Sequence, residues 1–145
     1  MRAIVQRVKE AEVAVEGETV GKIGEGLLVY LGIAPGDTEK EIKYLADKIT
    51  AMRIFEDENG KMNISLKDIG GEILCISQFT LYADCRKGNR PSFIAAAPPG
   101  EAEKLYNQFC QYLRDQNISI ATGRFAAHMQ VKSINNGPVT IPLEI

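Results

Sequence analysis

Histidine is almost missing from this chain of 145 residues: His128 is the only one. That scarcity removes much enzymatic machinery at once. A Ser-His-Asp or Cys-His mechanism would have to run through His128. The residue lies in Ala127-His128-Met129-Gln130, a strand-like pattern in which no neighbour marks it as a base. Cysteine is also scarce. Cys75, Cys85 and Cys110 are odd in number and lack CxxC spacing, which argues against a disulfide framework or a structural zinc site and fits a reducing cytoplasm. Only an all-carboxylate metal site would remain. The one local acidic run, Glu56-Asp57-Glu58, is followed by Asn59-Gly60 and reads as a solvated turn. No Walker loop or GxGxxG is present, and Gly24-Glu25-Gly26 is a hairpin signal. No metal and no cofactor are therefore expected.

Long apolar runs are absent too. The longest, Leu27 to Leu31 and Ile73 to Ile76, are far too short to span a bilayer, and the opening Met1-Arg2-Ala3-Ile4-Val5-Gln6 reads as a strand rather than a signal peptide. No membrane partner is expected. Nor is there an excess of positive charge: the net charge is -2. A protein that wraps a duplex needs many phosphate-neutralising cations, so DNA is not an expected partner. A protein that meets only the end of an RNA has no such need.

The chain does carry a regular pattern of short strands and two helices. Residues 2–8, 11–15, 19–23 and 27–33 are strand candidates, the last apolar on both faces and so central in a sheet. Thr38 and Glu41 form a capping box for a helix reaching about Arg53, with Ile42, Leu45, Ile49 and Met52 on one face. Residues 56–60 are a turn and 61–67 are ambiguous. Gly70-Gly71 leads into the strand Ile73 to Ile76. A long connection over 84–98 suggests function. Pro98-Pro99 opens a second helix with Ala102, Leu105, Tyr106, Phe109, Cys110 and Leu113 on one face. Strand candidates follow at 118–122, 125–134 and 139–143. The expectation is a single α/β domain over residues 1–145: a mixed β-sheet in partly closed, barrel-like sheets, with two helices packed on one side in β/β/α layers.

Two stretches stand out. Ser77-Gln78-Phe79-Thr80-Leu81 closes the central strand, where a buried element can aim polar groups into a loop. Continued as a strand, it places Ser77, Phe79 and Leu81 on one face and Gln78 and Thr80 on the other. Read alone, it is ordinary polar alternation. Thr80 as a nucleophile would be weak without a base. Backbone N–H groups at Gln78-Phe79-Thr80 could instead hold an oxyanion, each donor contributing roughly 3 kcal/mol in a dry site. The second stretch, Asn135-Asn136-Gly137-Pro138-Val139-Thr140, reads at face value as a hairpin turn. Two features lift it. Pro138 cannot donate a hydrogen bond, and Gly137 has no Cβ, so a ligand could approach bare carbonyls. An X-Pro bond is cis in about 5% of folded cases, so sequence alone gives trans.

Together these stretches resemble the D-aminoacyl-tRNA deacylase (D-tyrosyl-tRNA deacylase) family, bacterial type. The resemblance covers the whole chain, including Met1 to Val8, Gly26-Leu27-Leu28-Val29 and Arg90-Pro91-Ser92-Phe93. It implies hydrolysis of the ester that joins a D-amino acid to the terminal adenosine of tRNA, with glycyl-tRNA also accepted. It further implies a cytoplasmic homodimer with active sites at the subunit interface and no cofactor. By the same resemblance, Ser77, Gln78, Phe79 and Thr80 would line the ester end. A cis Gly137-Pro138 would enter the partner's pocket, bind the α-amino group and leave no room for an L side chain. Arg7 would support that loop, and Phe125 and Met129 would border the pocket. The terminal ribose 2′-hydroxyl would help activate water, which fits the lack of a protein base. Arg86, Lys87 and Arg90 would either meet phosphates or form a solvated loop. One departure from the family pattern is Ala126-Ala127-His128-Met129, where Gly-Ala is usual. A non-catalytic RNA-end binding protein and a structural dimer are the other classes these features admit.

Overall fold

The structure is a computed structural model describing residues 1–145. Its organising element is β1 (Arg2–Val15), fourteen residues long, in which the two separate strands expected at 2–8 and 11–15 run on as one. On one side, the first half of β1 pairs antiparallel with β3 (Gly26–Gly32), from Arg2 opposite Gly32 to Val8 opposite Gly26. Its second half pairs on that side with β2 (Glu18–Ile23), from Ala11 opposite Ile23 to Val15 opposite Glu18. The other side of β1 is taken along nearly its whole length by β8 (Gln130–Glu144).

The sheet continues from β3 in parallel to β6 (Glu72–Ser77) and from β6 in parallel to β7 (Ile120–Thr122). It curls until β2 meets β7: a Cβ added to Gly21 would lie 2.6 Å from the Thr122 carbonyl oxygen, so only glycine fits. The result is a mixed, nearly closed barrel-like sheet with helices on one side, as the strand and helix pattern leads one to expect.

Helix α1 (Glu39–Ala51) starts on the expected capping box, Thr38 accepting from the helix backbone while Glu41 reaches back to the Thr38 N–H. Between α1 and β6 lie the small ladder of β4 (Phe55–Glu56) with β5 (Met62–Ile64) and the short α2 (Leu66–Ile69), capped by Ser65 and Asp68. That resolves the ambiguous 61–67. Helix α3 (Pro99–Asp115) begins at the Pro98-Pro99 pair. Ile42, Leu45 and Ile49 of α1 and Ala102, Leu105, Phe109 and Leu113 of α3 meet Val5, Leu27, Val29, Leu31, Ile73 and Cys75 of the sheet in the larger core. Val8, Ala11, Val13, Ile23, Leu28, Leu74 and Ile76 form a second cluster on the opposite face, inside the curl. β3 and β6 are therefore buried on both faces, which is why they read as unbroken apolar runs. No helix is long and apolar enough to cross a membrane.

Two local readings are corrected. The turn expected at Asn135-Asn136-Gly137-Pro138 is not a hairpin: the whole stretch lies inside β8. Thr140 faces Gln6 and Asn135 faces Val8, so residues 136–139 bulge out opposite Arg7 alone. Nor is 125–134 one strand, since β8 begins only at Gln130.

Candidate active site

β6 holds its register to Ser77, and Gln78 extends it by one bond, its N–H donating to the Leu31 carbonyl at 2.8 Å. There β3 ends and no further partner exists. The chain winds into a 3-10 turn over Phe79–Tyr82, with Leu81 N–H on the Gln78 carbonyl at 3.2 Å and Ala83 N–H on the Thr80 carbonyl at 3.0 Å. The alternation expected for 77–81 therefore stops at Ser77. Its failure has a chemical consequence. The leading N–H groups of a helical turn have no acceptor inside it, so those of Phe79 and Thr80 begin the turn as donors beside the end of β6.

The Gln78 amide donates to the Thr80 hydroxyl at 2.5 Å. Thr80 thus has an amide for a partner, with no carboxylate or imidazole bonded to it. The cysteines offer no alternative nucleophile here. Cys75 is wholly buried, and burial pushes its thiol well up. Tyr106, whose hydroxyl donates to the Cys75 carbonyl at 2.7 Å, is likewise held neutral by burial.

A cavity of about 680 Å³ opens beside this turn. Ser77, Gln78 and Phe79 form one wall, Phe93, Ile94 and Ala96 to Pro98 a second, and Phe125 to Met129 a third, with Pro99 and Ala102 of α3 behind. Phe79 is half exposed and stands edge-on to Phe93, ring centroids 5.1 Å apart, so the two rings frame an entrance. Phe125 leans on Tyr106 at 6.1 Å. The turn carrying Phe125 is closed by Ala127 N–H on the Arg124 carbonyl at 3.2 Å, and Ala126 sits in the left-handed region at φ 59°. Met129 reaches inward over Gly123, where any Cβ would collide with its sulfur.

Of the residues singled out from sequence, Ser77, Gln78, Phe79, Phe125 and Met129 are brought together around this cavity, and Thr80 adjoins them through Gln78. Arg7, Gly137 and Pro138 do not line it. They make a second group. The Arg7 guanidinium is buried and donates from Nε to the Asn136 carbonyl at 3.0 Å and from Nη1 to the Ile54 carbonyl at 2.6 Å; Nη2 lies 3.5 Å from Glu56 Oε1. The bond Gly137-Pro138 is cis, with Gly137 at φ 128° and both residues exposed on the bulge. A Cβ on Gly137 would lie 3.1 Å from Arg7 Nη2.

Sequence reading missed three contributors. His128, read as an ordinary strand histidine, is exposed between the turn at Phe125 and β8 and lines the cavity. Gly123 gave no signal beyond being a glycine. The 93–98 wall was foreshadowed only by the length of its loop. In that loop Arg86 turns back on its own segment, its Nε and Nη2 meeting Asp84 at 2.9 and 2.7 Å, while Lys87 and Arg90 are exposed. The Asp84 carboxyl is held below its usual range by that pairing.

Residues 4–144 match the family model described as D-Tyr-tRNA(Tyr) deacylase. The chain belongs to this family. It is 59% identical to a D-aminoacyl-tRNA deacylase of Thermosipho africanus, the match covering 99% of this chain and 97% of the relative. It is 60% identical to one of Desulfatibacillum aliphaticivorans, with 99% of each chain covered. Among solved structures, one named c-Myc DNA Unwinding Element Binding Protein superposes with a TM-score of 0.94 at 48% identity over 100% of this chain and 99% of its own. A probable eukaryotic D-amino acid tRNA deacylase superposes at 0.86 over 99% of this chain and 98% of its own; at 18% identity it speaks for the fold alone. Within this D-Tyr-tRNA(Tyr) deacylase fold the cavity sits at the carboxyl ends of the parallel pair β3 and β6, the position where open and curled sheets commonly place ligands.

Proposed function

We propose that the protein is a D-aminoacyl-tRNA deacylase, a carboxylic ester hydrolase that frees D-amino acids, and glycine mischarged on tRNA-Ala, from the terminal adenosine of tRNA. What carries the reading is the whole-chain family match joined to a cavity beside which the Thr80 hydroxyl is bonded to an amide and to no base. Such a site suits a substrate that supplies its own reactive group. An aminoacyl ester is already activated, and the neighbouring ribose 2′-hydroxyl can help activate water. The N–H groups of Phe79 and Thr80 would then meet the oxyanion as it forms, while Ser77 and Gln78 hold the ester end and Phe125 and Met129 border the amino acid. One such donor contributes roughly 3 kcal/mol when it is pre-organised and dry. No cofactor is required by this scheme.

Handedness would be read by the Gly137 and Pro138 carbonyls, which would bind the α-amino group and exclude an L side chain. A rigid backbone that excludes one hand leaves the pocket indifferent to which D side chain it accepts. Because these residues do not line the cavity of their own chain, they would be lent to a second copy in a homodimer. The open edge of β8, which pairs with β1 alone, and half-exposed Ile134 upon it favour this arrangement. Aminoacyl-tRNA as substrate would place the enzyme in the cytoplasm.

Incubation with D-tyrosyl-tRNA and L-tyrosyl-tRNA tests the reading. D-tyrosine release with L-tyrosyl-tRNA spared is the expected result, and no release from either refutes it. The name of the 48%-identical structure raises DNA binding as a second reading. A net charge of -2 and the engagement of Arg86 by Asp84 weigh against an extended duplex surface.

A further inference from the structure

We propose that His128 is a substrate-binding residue at the cavity rim, its imidazole N–H donating to a backbone phosphate of the RNA where the strand leaves the site. The inference rests on the deacylase reading for what enters the cavity. The walls are apolar or carry neutral polar groups: β3 contributes Leu31, β6 contributes Ile76 and Ser77, α3 contributes Pro99 and Ala102, and β8 contributes Val131. His128 is the single ionisable side chain among the lining residues. It is exposed, just after the turn at Phe125 and Ala126 and two residues before β8 begins. A terminal nucleoside and its amino acid can be buried in such a cavity, but a phosphodiester cannot be desolvated there without a partner. The strand's first phosphates must therefore stay at the rim, where His128 stands.

Other charged groups near it in the chain are already placed. Arg124 is exposed on the same turn, Lys132 of β8 pairs with Glu12 at 3.1 Å, and Glu101 lies in the first turn of α3; none lines the cavity. A hydrogen bond from the His128 N–H to a charged phosphate should strengthen binding by about tenfold.

The test is binding of a labelled five-nucleotide RNA ending in a 3′ adenosine, with no amino acid attached, followed by fluorescence anisotropy, beside a matched probe in which an uncharged methylphosphonate replaces the phosphodiester next to the 3′ adenosine. Wild type should bind the phosphodiester probe about tenfold tighter than the methylphosphonate probe. His128→Ala should lose that preference, and His128→Lys, which supplies an N–H donor in its place, should keep it. Equal preference in wild type and His128→Ala overturns the proposal, as does a wild type that does not bind the probe. Deacylation of D-tyrosyl-tRNA assayed alongside separates the two readings: activity without the His128 effect sinks this inference alone, and the effect without activity sinks the enzyme reading alone.

Discussion

Arg7 and Asn136 are 129 positions apart in the chain, yet Arg7 Nε donates to the Asn136 carbonyl at 3.0 Å. That bond ties the middle of β1 to the bulge carrying Gly137 and Pro138. A second bond from the same guanidinium fixes Ile54 at 2.6 Å.

Replacing Arg7 by Ala should leave both carbonyls without their charged donor in a buried setting. The expected loss is about 3 kcal/mol of stability, since bonds to charged groups contribute about 1.5–3 kcal/mol each and the vacated space adds its own cost. Urea unfolding should show a lower midpoint with an unchanged slope. Arg7→Lys should recover only part of this, because an ammonium cannot reproduce the planar fork.

Ala126 lies at φ 59°, where a Cβ is unfavourable. Ala126→Gly should therefore stabilise the protein by about 1 kcal/mol, the relief of strain exceeding the added freedom of the unfolded chain. Calorimetry should register a melting temperature about 3 °C higher. An unchanged or lower value would mean the turn does not hold this conformation in solution.

Thr80→Val removes the hydroxyl that the Gln78 amide holds. If that hydroxyl only lines the site, turnover of D-tyrosyl-tRNA should fall by less than about tenfold, the scale of one ordinary hydrogen bond. Complete loss with normal binding would restore Thr80 as a nucleophile. Substrate ending in 2′-deoxyadenosine should in turn react far more slowly with the wild-type enzyme. Equal rates would remove the ribose hydroxyl from the reaction.

Tyr82 is pushed up from 10.0 to about 12, first by burial and then by the Asp37 carboxylate, with the Arg2 guanidinium 4.6 Å from its ring pulling the other way. The folded protein holds this proton more tightly than the unfolded chain. The associated stability is complete below pH 10 and is lost as the pH rises from 10 towards 12. Urea midpoints taken at pH 8, 10 and 11.5 should fall across the last interval, and Tyr82→Phe should flatten that fall. On the acid side, Asp68 and Asp84 are held low by Ser65 and Arg86, so their smaller contributions are lost only as pH drops through the carboxylate range.

What could be read from sequence was whatever depended on near neighbours. The Thr38–Glu41 box, the proline start of α3 and the doubly apolar β3 and β6 are all local patterns, and each lies where its pattern puts it. What could not be read depended on distant ones. Asn135-Asn136-Gly137-Pro138 has a turn composition, and only the pairing of Gln6 and Val8 with residues on either side of it keeps it within a strand. The break after Ser77 is set by where β3 stops. The turn at Ala126 was invisible because alanine does not advertise a left-handed backbone, as glycine would have done. His128 was accordingly assigned to a strand and missed as a cavity residue.

β1 contributes Ala3 and Val5 to one apolar cluster and Val8, Ala11 and Val13 to the other. Neither cluster can come apart while that shared strand stays in place. Heating should accordingly give a single calorimetric peak whose van't Hoff and measured enthalpies agree. The amides at the centre of β1 should be among the last to exchange with solvent deuterium, released only when the whole molecule opens.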